Sequence, residues 1–244
     1  MGRKGTMTDQ TIDSEYLNET LTVKIYKPET FSPLYKYNIC IMQDGDDYMQ
    51  LGRVATLSDR FHGDQTIENT IFVGIHYNDK YDRREKYHPE GKKFTSYMKF
   101  LAMEVVPLLD VELPTYHMGG SRALMGDSLG GTMALMTALR YPHTFGKVIM
   151  QSPYVDETVL QEAEDHDALA TMEIYHTIGT QETEVSTTDG KVQDFLTPNR
   201  ELRDILEKNC HSYTYYELDG EHTWKYWQKD LKRALPTMFG SENP

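Results

Sequence analysis

Two cysteines in 244 residues cannot make a disulfide framework, so Cys40, inside an apolar run, and Cys210, ending a helical one, suit a reducing compartment. Long apolar runs are missing as well: nothing approaches the roughly 18 residues a membrane helix needs, and the polar N-terminus has no signal-peptide core. A soluble, cytoplasmic protein is expected on these grounds. Positive charge is scarce, with 25 Lys and Arg against 38 Asp and Glu and a formal net charge of −13. The basic residues are dispersed rather than gathered on one face, which argues against a nucleic-acid partner. There is no low-complexity tract, no internal repeat and no metal-ligand cluster, so neither a metal nor another cofactor is expected.

What is present is a globular composition, 39% hydrophobic and 26% charged, at a length that suits one large open α/β sheet. Residues 1–15 read as an N-terminal tail, of which MGRKGT ahead of Met7 resembles an expression remnant, and residues 16–240 read as a single domain. Alternation of Leu21, Val23 and Ile25 with Thr22 and Lys24 predicts a half-exposed strand near a sheet edge, ending at Pro28. The continuously apolar runs YNICIMQ (37–43) and TIFVGIHY (70–77) predict inner strands covered on both faces. Apolar spacings of three and four over 95–110 predict an amphipathic helix interrupted by Pro107. Further strands are expected from Arg122 and at 147–151, 173–178 and 212–218, with helices at 129–141, 157–170, from about Pro198, and at 224–239. Strict alternation implies parallel strands joined by right-handed crossovers, with function at the strands' carboxyl ends.

Gly126-Asp127-Ser128-Leu129-Gly130-Gly131 falls between the strand ending at Met125 and a helix, the setting that G-x-S-x-G requires. The glycines permit a strained turn that lifts the serine hydroxyl into the open. A serine needs a base and oxyanion donors to act as a nucleophile. The backbone N–H of Leu129 is the natural first donor, and that of Asp46, in the Gln43-Asp44-Gly45-Asp46-Asp47 loop after an apolar strand, is the candidate second one. The same loop does not match a calcium-binding EF-hand, which would need glycine and glutamate where Met49 and Ala55 stand. His222, just after the last predicted strand, satisfies the chain order serine, acid, histidine, whereas His76 and His176 break it and read as structural. The acid should follow the strand 173–178; Glu182 is the first choice, and Glu184 and Asp189 are alternatives. Tyr154 and Trp224 are candidate pocket walls, while Trp227, at helical spacing, reads as packing.

These residues together resemble an esterase family of the α/β-hydrolase superfamily, the one that includes esterase D, the mycolyltransferase antigens and the enterochelin-esterase-like proteins, the last branch most closely. The resemblance is carried by VKIYKP, MQDGDDY, VGIHYND with Arg84, Glu85, Tyr87 and Pro89 after it, GDSLGG, IGTQE and, most specifically, GEHTWKYW. It implies an α/β-hydrolase fold, a mostly parallel central sheet with helices on both faces, and a triad of Ser128, Glu182 and His222. Enterochelin esterases carry an additional N-terminal domain for a large siderophore, and the stretch before Tyr16 is too short for one, so a smaller substrate is expected. The expected partner is a small neutral carboxylic ester or thioester, cleaved through an acyl-enzyme; interception by an alcohol acceptor, which would make an acyltransferase, and an idle hydrolase-like binding protein are the alternatives. The acidic surface should disfavour polyanions such as acyl-CoA, and a homodimer is compatible with the sequence.

Overall fold

Strands buried on both faces need helices on both sides, and the computed structural model, which describes residues 2–240, has that arrangement. The N-terminal part supplies β1 (Thr6–Ser14), β2 (Glu19–Lys27), β3 (Asn38–Met42), α1 (Gly45–Gln50), α2 (Val54–Gly63) and β4 (Thr70–Ile75). The middle contains α3 (Lys80–Tyr87), α4 (Phe94–Phe100), α5 (Val106–Glu112), β5 (Arg122–Asp127), α6 (Leu129–Arg140), β6 (Lys147–Gln151) and α7 (Glu157–Asp165). After these come β7 (Glu173–Gly179), the short β8 (Val185–Ser186) and β9 (Val192–Gln193), α8 (Leu196–Asn209), β10 (Ser212–Leu218) and α9 (Trp224–Phe239). Eight strands form one sheet in the order β1-β2-β4-β3-β5-β6-β7-β10, antiparallel at β1, β2 and β4 and parallel from β4 to β10. This is the α/β-hydrolase fold. Alternate residues of β3 feed two cores: Ile39 and Ile41 pack with Leu109 of α5 and Met133 of α6, Cys40 and Met42 with Phe61 of α2 and Leu231 of α9.

One expectation is corrected. Thr6–Ser14 is not a tail: it pairs in antiparallel register along the whole of β2, Thr6 opposite Lys27 and Ser14 opposite Glu19. Its sequence, TMTDQTIDS, lacks the apolar face of a core strand because it is the outermost strand and gains its order from backbone pairing. β2, expected near a sheet edge, lies second from it. Met1 and the last four residues lie outside the described residues. The interruption at Pro107 takes a particular form, a π-helical turn over Leu101–Val105 that joins α4 to α5. Proline has no N–H and its ring crowds the carbonyl four residues back, and a wider turn relieves both demands.

The helix α3 is held to β2 by charge. Lys86, 1% exposed, places Nζ 2.6 Å from both Glu19 and Asp82, and Lys93 reaches the same two carboxylates at 3.2 and 3.0 Å. Elsewhere, His176 of β7 is fully buried, with Nε2 2.7 Å from Asn199 Oδ1 and Nδ1 2.8 Å from the Tyr213 hydroxyl. Both contacts suit a neutral ring, and burial lowers His176 to about 4.

Removing a buried ion-pair partner leaves uncompensated charge, so Lys86→Met should lower the unfolding free energy by about 3 kcal/mol in urea titrations; an unchanged midpoint would contradict the anchoring role. For His176, an unfolded-chain histidine titrates near about 6.5, above the folded value of about 4. Between those values the unfolded chain binds more protons, so stability should fall as pH drops through that window, with a shallower slope in His176→Gln.

Candidate active site

The carboxyl end of β5 runs directly into α6, and Ser128 is the residue between them, at φ 51° and ψ −126°. A non-glycine residue held there costs about 1–3 kcal/mol and persists only where its surroundings enforce it. Those surroundings are close on both sides: a Cβ on Gly126 would lie 2.2 Å from the Gly130 backbone carbonyl, and one on Gly130 would lie 2.9 Å from the Asp44 side-chain Oδ2. The Ser128 N–H also donates to Gln151 O at 2.9 Å, which ties the bend to β6.

His222 lies in the loop between β10 and α9, and its Nδ1 is 2.5 Å from Glu182 Oε2. Glu182 follows β7 and is 1% exposed; its other oxygen accepts from Ser152 Oγ at 2.6 Å and from the Gly179 N–H at 2.9 Å. Ser152 is fully buried with φ 48°, and its Oγ in turn accepts from Trp227 Nε1 at 3.0 Å. The imidazole is packed edge-to-face between Phe195 and Trp227, with centroids 4.6 and 4.9 Å away. A carboxylate at Nδ1 selects the tautomer that leaves Nε2 as a proton acceptor.

Ser128 and His222 both line one cavity of about 650 Å³, together with Leu129, Tyr154, Phe195 and Trp227. Of the residues singled out from sequence, Ser128, Leu129, Tyr154 and His222 therefore share a cavity, and Glu182 stands behind the imidazole. Glu184 is exposed, and Asp189 binds Thr187 Oγ1 at 2.5 Å and Lys191 Nζ at 3.4 Å. Asp46 does not line this cavity: its side chain turns towards Lys24, 3.4 Å away, leaving only a backbone N–H on the first turn of α1 to consider. The pocket expectation for Trp224 is corrected in favour of Trp227. Trp224 packs instead against Tyr48, with ring centroids 4.8 Å apart.

Sequence reading missed three contributors. Ser152 and Trp227, which orient Glu182, are signalled only by Ser152's position at the carboxyl end of β6. The third is Arg83, which grips Asp44 with Nε to Oδ1 at 2.8 Å and Nη2 to Oδ2 at 2.6 Å, and donates to Asp127 O at 3.3 Å. Burial, reinforced by the neighbouring Asp44, pushes the Asp127 carboxyl, next to Ser128, well above the usual carboxylate range. Among the described residues no three His, Cys, Asp or Glu side chains are placed to hold a metal ion, and no helix is long and apolar enough to cross a membrane.

A Bacillus subtilis (strain 168) protein described as uncharacterized protein YjcH is 48% identical over 237 residues, covering 97% of this chain and 99% of its own. Among solved structures, a ferulic acid esterase superposes with a TM-score of 0.81 at 18% identity, covering 97% of this chain and 98% of the other. An enterobactin esterase from Shigella flexneri superposes with a TM-score of 0.82 at 20% identity, covering 98% of this chain and 60% of the other. At such identities the likeness is one of fold. A family model described as Putative esterase matches residues 14–238, and the chain belongs to that family of ester hydrolases.

Proposed function

We propose that this chain is a serine esterase that cleaves small carboxylic esters or thioesters through an acyl-enzyme, with Ser128 as nucleophile, His222 as general base and acid, and Glu182 as the orienting carboxylate. The observation that carries this reading is the Glu182–His222 pair facing the same cavity as a serine held at positive φ. In the first half-reaction Ser128 Oγ adds to the ester carbonyl while its proton passes to His222 Nε2. The oxyanion meets the N–H of Leu129, the first residue of α6, and the N–H of Asp46 on the first turn of α1. Contact between Asp44 and Gly130 supports this pairing, because it brings the two helix starts together. Collapse of the tetrahedral intermediate expels the alkoxide or thiolate, which takes the proton from His222. Water then repeats the sequence at the acyl carbonyl and frees the serine.

Glu182 acts through the ring. By fixing the tautomer and balancing the imidazolium that forms, it favours the transition state over the resting state, which is the condition for rate acceleration. Tyr154, Phe195 and Trp227 support the reading by giving the reacting carbonyl apolar surroundings, in which oxyanion contacts are strengthened. We place the activity in the cytoplasm on the strength of two free thiols, Cys40 and Cys210.

A fluorophosphonate probe should label the wild type and leave Ser128→Ala unlabelled; an unlabelled wild type would reject the reading. With p-nitrophenyl acetate, His222→Ala should lower kcat by roughly 10⁴ to 10⁶, and a loss below tenfold would exclude it as the base. Glu182→Gln should lower kcat by about 10⁴ with little change in KM, since an amide can hold the wrong tautomer.

A further inference from the structure

One side chain in the cavity wall has nothing to do in the protein itself. Arg84, on α3, is half-buried and lines the cavity that holds Ser128 and His222, yet among the described residues its guanidinium has neither a hydrogen bond nor an ion pair. Its neighbour Arg83 is committed to Asp44. A guanidinium is a rigid planar fork of N–H donors matched to a carboxylate, and in a cavity it is a selective element rather than a solubilising one.

The groups around Arg84 favour the same ligand. His88 and Tyr154 are near enough for the Arg84 charge to act on both, and their rings lie 5.0 Å apart. His88 Nδ1 accepts the Glu90 N–H at 3.1 Å, so in the neutral ring Nε2 carries the proton and is a donor; burial, with Arg84 next in weight, lowers His88 and keeps it neutral. Burial and Asp156, to which its hydroxyl hydrogen-bonds, push the Tyr154 phenol up to about 12, so it stays protonated and adds no negative charge beside Arg84. Lys80 lies one turn before Arg84 on the same face of α3 and also lines the cavity without an ion pair. The connection to the reacting centre is short, because the Tyr154 N–H donates to Ser128 O at 3.2 Å.

The acidic residues of the wall do not cancel this arrangement. Asp44 is paired with Arg83, Asp189 with Lys191, and Asp156 caps α7 through the Val159 N–H at 3.0 Å. Burial and Asp44 raise both Asp127 and Asp47, and Glu90 and Glu157 are exposed. The chain's charge of −13 is thus a poor guide to the charge of its substrate.

We propose that Arg84, with His88 and Tyr154 beside it and Lys80 at the mouth, forms an anion subsite that selects esters bearing a free carboxylate. The subsite rests on the serine-esterase reading for its reaction but not for its binding, and the test keeps the two apart. Methanol release is measured for the monomethyl esters of succinic, glutaric and adipic acids. Each is compared with an isostere carrying isopropyl in place of the carboxylate and with one ending in trimethylammonium. The best carboxylate ester should exceed both in kcat/KM, and Arg84→Gln should shrink the carboxylate-to-isopropyl ratio by about tenfold or more, the size of one lost charge-assisted hydrogen bond. Arg84→Lys should restore part of it. A ratio unmoved by Arg84→Gln, or a preference for trimethylammonium, overturns the proposal while leaving the esterase reading in place. In parallel, calorimetric binding of monomethyl glutarate to Ser128→Ala should weaken about tenfold on adding Arg84→Gln. If binding behaves so but no ester is turned over, the esterase reading fails and the subsite stands; if monomethyl glutarate does not bind, the subsite is refuted.

Discussion

The contact on which this molecule depends is backbone against backbone. Where β5 meets α6, the Gly126 Cα is so close to the Gly130 carbonyl that one methyl group would collide at 2.2 Å. That closeness turns the chain sharply enough to hold Ser128 at φ 51° and to leave its hydroxyl at the top of the sheet rather than inside it. It also leaves room on the other side of Gly130 for Asp44, so the loop after β3 lies against the first turn of α6. Position here follows from the lack of side chains, and the bend is tied to the neighbouring strand β6 through the Ser128 N–H and the Gln151 carbonyl.

A second theme is how far the support of one carboxylate extends. Glu182 is held by three donors from three places in the chain, His222, Ser152 and Gly179, and Ser152 is itself held by Trp227. The end of β6, the end of β7, the loop after β10 and the first turns of α9 therefore converge on one group. Beneath them, Gln151 donates to the Trp227 carbonyl and to Asp230, and Asp230 also receives the Tyr175 hydroxyl. Buried polar groups linked in this way have few alternative arrangements, because each unmade bond would leave a desolvated donor or acceptor.

Much of this was legible in the sequence, for identifiable reasons. The runs NICIM and TIFVGI announce inner strands because both their faces are covered, and GDSLGG announces the bend because only glycine fits the approach. The contact of His222 with Glu182 could be anticipated because chain order and strand ends bring the two together. What the sequence concealed depends on partners far along the chain. TMTDQTIDS has little apolar pattern of its own, and its order comes from β2. The Arg83–Asp44 pair spans 39 positions, and no local pattern announces it. Trp224 and Trp227 lie within one turn of α9, and only the angle at which that helix packs decides which of them reaches the cavity. Asp46 looked like a loop residue because the polar run D-G-D-D is equally the first turn of a short helix.

The segment between Glu182 and α8 closes on itself. The Glu182 carbonyl accepts the N–H of Phe195 at 2.9 Å and of Leu196 at 3.1 Å, so residues 183–194, with the β8–β9 pair among them, leave and return at a single peptide. Insertions or deletions within such an excursion change its closure entropy only slightly and do not tug on the residue where it is pinned. The excursion also forms one wall of the cavity through Val185 and Lys191. Evolution can therefore redraw the shape of this cleft by swapping one stretch of chain, while Ser128, Glu182 and His222 keep their places.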